Sequence, residues 1–123
     1  MVEKNWQEAA DTTRKLVRLD PADYPQALMY NAIANVNLHN LDAAEESARD
    51  AVKADTEHQF PRSEYVLAVI LAHKQDYATA LLLMKSYLEQ VPNAPGADTV
   101  RMQISEIEKT AGNQRASEQP PPM

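Results

Sequence analysis

The sequence of 123 residues contains no cysteine, only two glycines and a single tryptophan. Without cysteine, the chain cannot form a disulfide, a cysteine nucleophile or a thiolate zinc site. No apolar run reaches the roughly 18–20 residues that a membrane span requires, so none is predicted. Basic side chains are also few, because 12 Lys and Arg stand against 18 Asp and Glu, for a net charge of −6. This balance argues against a nucleic-acid or anionic-membrane partner.

Strand patterns are nearly absent, and helical periodicity runs from residue 3 to about residue 110, supported by nineteen alanines. Prolines stand between the periodic segments, where they interrupt no helix. The sequence therefore predicts an all-α domain over 1–111, with helices at 4–19, 25–38, 41–54, 61–74, 77–90 and 97–110. The remaining residues, 112–123, are polar and proline-rich, and we predict a disordered tail there.

A short pattern repeats along these helices. A large apolar residue followed three positions later by alanine occurs three times, at intervals of 35 and 36 residues: Trp6 with Ala9, Leu41 with Ala44, and Tyr77 with Ala80. The preceding helices align in the same way, with Ala32 matching Ala68. Small residues allow two antiparallel helices to approach closely, and the large residues fill the spaces between pairs.

In this pattern, residues 3–110 resemble the tetratricopeptide repeat (TPR) family, and most closely bacterial members of it. The resemblance implies a solenoid of antiparallel helix pairs (a TPR-like right-handed superhelix), with about two and a half repeats and a C-terminal capping helix. His39 and Gln75 stand where the family usually places a glycine between its two helices. A turn of that kind requires positive φ, which His tolerates better than Gln.

The family's concave face implies a partner-binding groove. Carried over by register, its residues are Gln26, Met29, Tyr30, Ile33, Asn37, Arg62, Tyr65, Val69 and His73. We therefore predict a non-catalytic interaction module or scaffold that binds a peptide or helix of a partner protein. The alternative for several of these residues, especially Ile33 and Val69, is packing against adjoining helices.

A second hypothesis is homo-oligomerisation. The chain opens with what the register identifies as the second helix of a repeat, so we expect one face of it to lack its partner helix and to pair with a second copy. That face carries Trp6, Ala10, Thr13 and Leu16.

Other chemistry finds little support in the sequence. Asn31 and Asn35 lie four residues apart on a face expected to be buried, which favours a hydrogen-bonded pair that aligns neighbouring helices over a peptide contact. The three histidines lack metal-ligand spacing, and no phosphate loop or nucleophile motif is present. We predict no metal, no cofactor and no enzymatic activity. Composition leaves the compartment open between the cytoplasm and an exported, trimmed form.

Overall fold

The computed structural model describes residues 2–19, 25–56 and 59–118, and within them the side chains of 5–15, 25–56 and 59–114. Six α-helices account for most of this part of the chain: α1 (Val2–Leu19), α2 (Pro25–Asn37), α3 (Leu41–Ala54), α4 (Arg62–His73), α5 (Tyr77–Gln90) and α6 (Ala97–Glu118). None of the described residues lies in a strand. The predicted all-α class is confirmed.

The helices pack in chain order. Each helix contacts the next one along the chain, and α2 also contacts α4. The closest pairs include α2 with α3 and α4 with α5, which are joined by the shortest connections. The chain is therefore a series of helix hairpins in which the first helices of the two complete hairpins also meet.

The two short turns have the same backbone conformation. His39 and Gln75 adopt φ of 63° and 68°, as expected for positions where glycine is usual. In each turn the amide of the following residue donates to a carbonyl five positions back, from Asn40 to Asn35 and from Asp76 to Leu71, both at 2.8 Å. The residue with positive φ donates to the carbonyl three positions back. This pair of bonds is the Schellman ending, which satisfies carbonyls at the end of a helix.

Buried alanines hold the helices close together. Ala32, Ala44, Ala48, Ala51 and Ala80 are almost fully buried in the main core cluster, and Ala68 lies in a second cluster with Met84 and Val100. The larger members of the main cluster are Leu28, Met29, Val66, Leu67, Ile70 and Leu71. The alanines of the repeat pattern, Ala44 and Ala80, are therefore buried, whereas its large residues Trp6, Leu41 and Tyr77 are only half-buried.

The two helices that follow these turns are capped differently. Asp76 caps α5 by accepting from the Thr79 amide at 3.4 Å, but the equivalent Asn40 makes no side-chain cap bond to α3. The Asn40 backbone is instead fixed by its own amide bond in the preceding turn. Hydrogen bonds of the turn can therefore position a cap residue without help from its side chain.

The C-terminal boundary was predicted too early. Helix α6 continues to Glu118, so residues 112–118 are helical and the predicted tail cannot begin at 112. Gly112 lies inside the helix without positive φ, and Ala111 just before it is buried. A glycine weakens a helix only modestly, and the good helix formers after it allow the helix to continue. The rest of the predicted tail, 119–123, lies outside the described residues.

Candidate functional site

Four of the nine predicted groove residues lie together. Gln26, Met29, Tyr30 and Arg62 line a cavity of about 330 Å³ between the starts of α2 and α4, which we call the Tyr30 cavity. Its other lining residues are Gln59, Phe60, Pro61, Tyr87 and Val91. Met29 is almost fully buried at this site, whereas Tyr30 is 52% exposed. The predicted contribution of Met29 is therefore limited to a small edge of its side chain.

Two other predicted residues line a larger, more apolar space. Val69 and His73 contribute to a groove of about 460 Å³ between α4 and α6, which we call the α4/α6 groove. Its remaining lining residues are Ala72, Tyr77, Met84, Thr99, Met102, Gln103, Glu106, Ile107 and Thr110. Met102 is 68% exposed, so an apolar and flexible side chain stands at the edge of the groove.

Tyr65 is engaged inside the fold. Its ring lies 5.4 Å from that of Tyr87, centroid to centroid, and its hydroxyl donates to Gln103 Oε1 at 2.7 Å. These contacts tie α4 to α5 and to α6. Tyr65 lines neither of the two spaces, and substituting it would disturb the packing of α4 against α5 and α6.

The last two predicted residues lie in neither space. Ile33 is half-buried and packs against the main core cluster, which agrees with the packing alternative. Asn37 is exposed, and its amide nitrogen donates to the Ile33 carbonyl of its own helix at 2.9 Å. The nine predicted residues therefore do not line a single space: four line the Tyr30 cavity, two line the α4/α6 groove and three line neither.

Part of the predicted self-association face is covered by α2. Ala10 is 2% exposed, and its carbonyl accepts from Asn31 Nδ2 at 2.8 Å. The Thr13 hydroxyl accepts from the same nitrogen at 3.0 Å. Helix α1 therefore presents Ala10 and Thr13 to α2. The prediction is wrong for Ala10, which is not open to a second copy, whereas Thr13 is only half-buried. Trp6 is half-buried, and the side chain of Leu16 lies outside the described residues.

The asparagine pair forms as predicted. Asn35 Nδ2 donates to Asn31 Oδ1 at 3.0 Å and to the Asn31 carbonyl at 2.9 Å. The Ser47 hydroxyl of α3 also donates to Asn31 Oδ1, at 2.7 Å. With its bonds to α1, the buried Asn31 amide connects three helices. The interpretation as a pair that aligns neighbouring helices is confirmed.

A polar cavity of about 470 Å³ adjoins this pair and is lined by residues of α1, α2 and α3. We call it the Asn35 cavity. Its lining residues are Gln7, Ala10, Arg14, Leu28, Asn31, Asn35, Asn40, Ala43, Glu46, Ser47 and Asp50. No sequence pattern indicates this cavity, because its walls come from three separate helices.

A charged cluster joins α3 to the end of α4. Lys74 Nζ contacts Asp42 Oδ1 at 2.7 Å and Glu45 Oε1 at 2.8 Å, and Arg49 Nε contacts Glu45 Oε2 at 2.8 Å. Hydrogen bonds from Lys74 and then Arg49 lower the pKa of Glu45. Hydrogen bonds to Asp42 and Glu45 raise the pKa of Lys74. None of these four charged residues lines the α4/α6 groove.

The sequence also carried a signal for the α6 side of the groove. Thr99, Met102, Gln103, Glu106, Ile107 and Thr110 follow one another at spacings of three and one, which places them on one stripe of the helix. Met102 and Glu106 were not predicted as site residues, because the neighbouring stripe of α6, which includes Val100 and Ile104, is the more apolar one.

Within the described ranges, no cluster of three His, Asp or Glu side chains is arranged to hold a metal ion. No helix there is both long and apolar enough to cross a bilayer. No family model matches the chain, and no curated protein matches it. The α4/α6 groove, with its apolar lining and exposed methionine, is the candidate interaction site.

Proposed function

We propose that the protein is a non-catalytic protein-interaction module, built as an open TPR-like stack of helix pairs. In this proposal the α4/α6 groove binds an amphipathic segment of a partner protein. The TPR-like arrangement is supported by three features: helix contacts in chain order, the additional α2–α4 contact and the two matching turns at His39 and Gln75. A stack of this kind leaves the spaces between successive first helices available for binding.

The observation that carries the proposal is the chemistry of the α4/α6 groove. Val69, Ile107 and the exposed Met102 provide apolar surface, while Gln103 and Glu106 supply polar groups from the same stripe of α6. An apolar surface with a few polar groups suits an amphipathic segment, whose apolar side chains bury and whose polar ones remain at the rim. Methionine adapts its shape to different partners at low cost. The exposed Met102 would serve as the adaptable edge of the groove.

The chain offers a matched pair of variants for testing this assignment. Met102 and Leu82 are both large, apolar and exposed, at 68% and 71%, but only Met102 lines the groove. Peptides selected from a random display library on the immobilised protein would be measured by fluorescence anisotropy against the wild type, Met102→Asp and Leu82→Asp. We expect Met102→Asp to weaken binding about tenfold or more, since a carboxylate would have to be desolvated in an apolar contact. Leu82→Asp should bind like the wild type.

Equal loss in both variants would assign the effect to general charge or hydrophobicity, and the groove proposal would fail. Selection of no peptide with saturable binding would also contradict it. Because both substituted positions are exposed, circular dichroism should show unchanged helicity, which separates loss of binding from loss of folding.

A further inference from the structure

The Tyr30 cavity is rich in aromatic residues and shares no lining residue with the α4/α6 groove. Three aromatic residues line it, Tyr30, Phe60 and Tyr87, and Tyr30 is 52% exposed. The Tyr87 ring also packs against that of Tyr65, with centroids 5.4 Å apart, so its position is fixed by the fold. A ring that is already fixed loses little conformational freedom when a ligand binds. The cavity therefore offers a partly preformed aromatic surface.

Every polar side chain that lines this cavity can donate a hydrogen bond. These side chains are the two tyrosine hydroxyls with Gln26, Gln59 and Arg62, and neither Asp nor Glu is among the lining residues. The Arg62 guanidinium, which can only donate, forms no ion pair and no side-chain hydrogen bond within the described part of the chain. A matching ligand therefore supplies hydrogen-bond acceptors together with apolar surface.

A run of prolines has this combination of groups. Proline has no N–H, so successive prolines present carbonyl acceptors and apolar rings but no backbone donor. Such runs favour the extended polyproline II conformation, which has no internal hydrogen bonds and docks in aromatic-lined grooves at a low entropic cost. This protein contains a run of its own at Pro120, Pro121 and Pro122, outside the described residues.

These prolines lie too far along the chain to enter the cavity of their own copy. Val91 lines the cavity, and two successive turn bonds, from the Ala94 amide to Val91 and from the Ala97 amide to Ala94, place the start of α6 beside it. Helix α6 then runs for 22 residues to Glu118, a length of about 33 Å. The two residues from Glu118 to Pro120 span at most about 7 Å. The cavity within reach of the prolines therefore belongs to another molecule.

From these observations we infer that residues 120–122 of one copy bind in the Tyr30 cavity of a second copy. The proline run and the cavity are different surfaces, so each copy donates one contact and receives another. Head-to-tail contacts of this kind either close into a ring or continue as an open chain. Three prolines cover far less area than a standard interface, so we expect a dissociation constant of about 0.1–1 mM.

The first experiment titrates a peptide into the full wild-type chain, labelled with ¹⁵N and kept dilute. The peptide acetyl-Gln-Pro-Pro-Pro-Met-amide copies residues 119–123, and its control has alanine in place of the three prolines. We expect saturable shifts of the Gln26 side-chain NH₂ and the Arg62 Nε–H with the proline peptide. The alanine peptide should bind at least about tenfold more weakly, because it lacks the rings and the fixed extended backbone.

The second experiment tests whether the occupant is a second copy. The tail variant carries alanine at positions 120, 121 and 122 and keeps its cavity, whereas the cavity variant Tyr30→Ala keeps its prolines. Labelled tail variant mixed with unlabelled cavity variant should show the same shifts at Gln26 and Arg62. Labelled tail variant mixed with unlabelled tail variant should show none. Leu82→Ala, which is also exposed but outside the cavity, is the control for Tyr30→Ala and should bind the proline peptide like the wild type.

Several results would overturn the inference. They are the absence of saturable shifts at millimolar proline peptide, equal binding of the alanine peptide, and equal loss of peptide binding in Tyr30→Ala and Leu82→Ala. Peptide binding without shifts in the mixture of the two variants would overturn the second copy as the occupant. The peptide titration uses the wild type, so it decides whether the cavity binds prolines even if a variant folds poorly.

Discussion

Replacing Gln75 with glycine should stabilise the protein. Gln75 has φ of 68° at the end of α4, in the left-handed region that side chains with a β-carbon disfavour. That conformation costs a non-glycine residue about 1–2 kcal/mol. Glycine avoids this cost, but its more flexible unfolded chain reduces the gain by about 0.4–1 kcal/mol. The free energy of unfolding should therefore rise by about 0.5–1 kcal/mol, or roughly 2–4 °C in Tm for a chain of this size.

The assay is urea and thermal unfolding followed by circular dichroism, with two comparison variants. His39→Gly should raise stability less, since His occupies the left-handed region more readily than Gln. Ser105→Gly introduces glycine at an exposed site inside α6, and it should lower stability by about 0.5 kcal/mol. If Gln75→Gly lowers Tm as Ser105→Gly does, the left-handed backbone is not what limits this turn, and the reasoning is refuted.

Three further predictions concern polar groups inside and between the helices. Ser63→Ala should leave the free energy of unfolding in urea unchanged or raise it by up to about 1 kcal/mol. The reason is that this fully buried hydroxyl has no hydrogen-bond partner in the described part of the chain. A clear loss of stability would show that the hydroxyl is paired. Asn31→Ala removes four side-chain hydrogen bonds and should cost about 2–3 kcal/mol in the same assay, and a loss below 1 kcal/mol would contradict its linking role. Lys74→Gln should reduce stability most between the ordinary pKa values of Glu and Lys, 4.5 and 10.5. Because the pKa of Glu45 is lowered in the folded state, its contribution to stability is lost as pH falls through that folded-state pKa. Because the pKa of Lys74 is raised in the folded state, its contribution to stability is lost as pH rises through that folded-state pKa. A wild-type-to-variant difference that stays constant from acid to alkaline pH would exclude this ion cluster as the cause.

Helix positions were largely predictable from local features. Prolines and short polar joints identified where α2, α3, α4, α5 and α6 begin to within one residue, since these signals act through the backbone nearby. The end of α6 was not predictable in the same way. Gly112 can end a helix or lie within it, and the surrounding residues decide which occurs.

The site was less predictable because its geometry depends on distant residues. The pairing of Asn31 with Asn35 follows from a spacing of four, so the sequence was sufficient. Tyrosine is a residue type common in binding sites, so the sequence favoured Tyr65 as a binding residue. In the structure, however, its ring packs against Tyr87 and its hydroxyl donates to Gln103, and both partners lie far along the chain. A periodic pattern identifies the face of a helix, but not which other helix covers that face.

The Asn31 amide has a consequence for how uniquely the helices can align. Alanine-lined contacts are nearly smooth, so α1 could slide along α2 by one helical turn, about 5.4 Å, with little change in the apolar area it covers. Such a slide would separate the Asn31 amide from the Ala10 carbonyl and the Thr13 hydroxyl. These polar groups would then lack protein partners in a space too narrow for ready hydration, which costs free energy. One polar side chain thus makes a single alignment far more stable than its neighbours, where methyl groups alone would permit several.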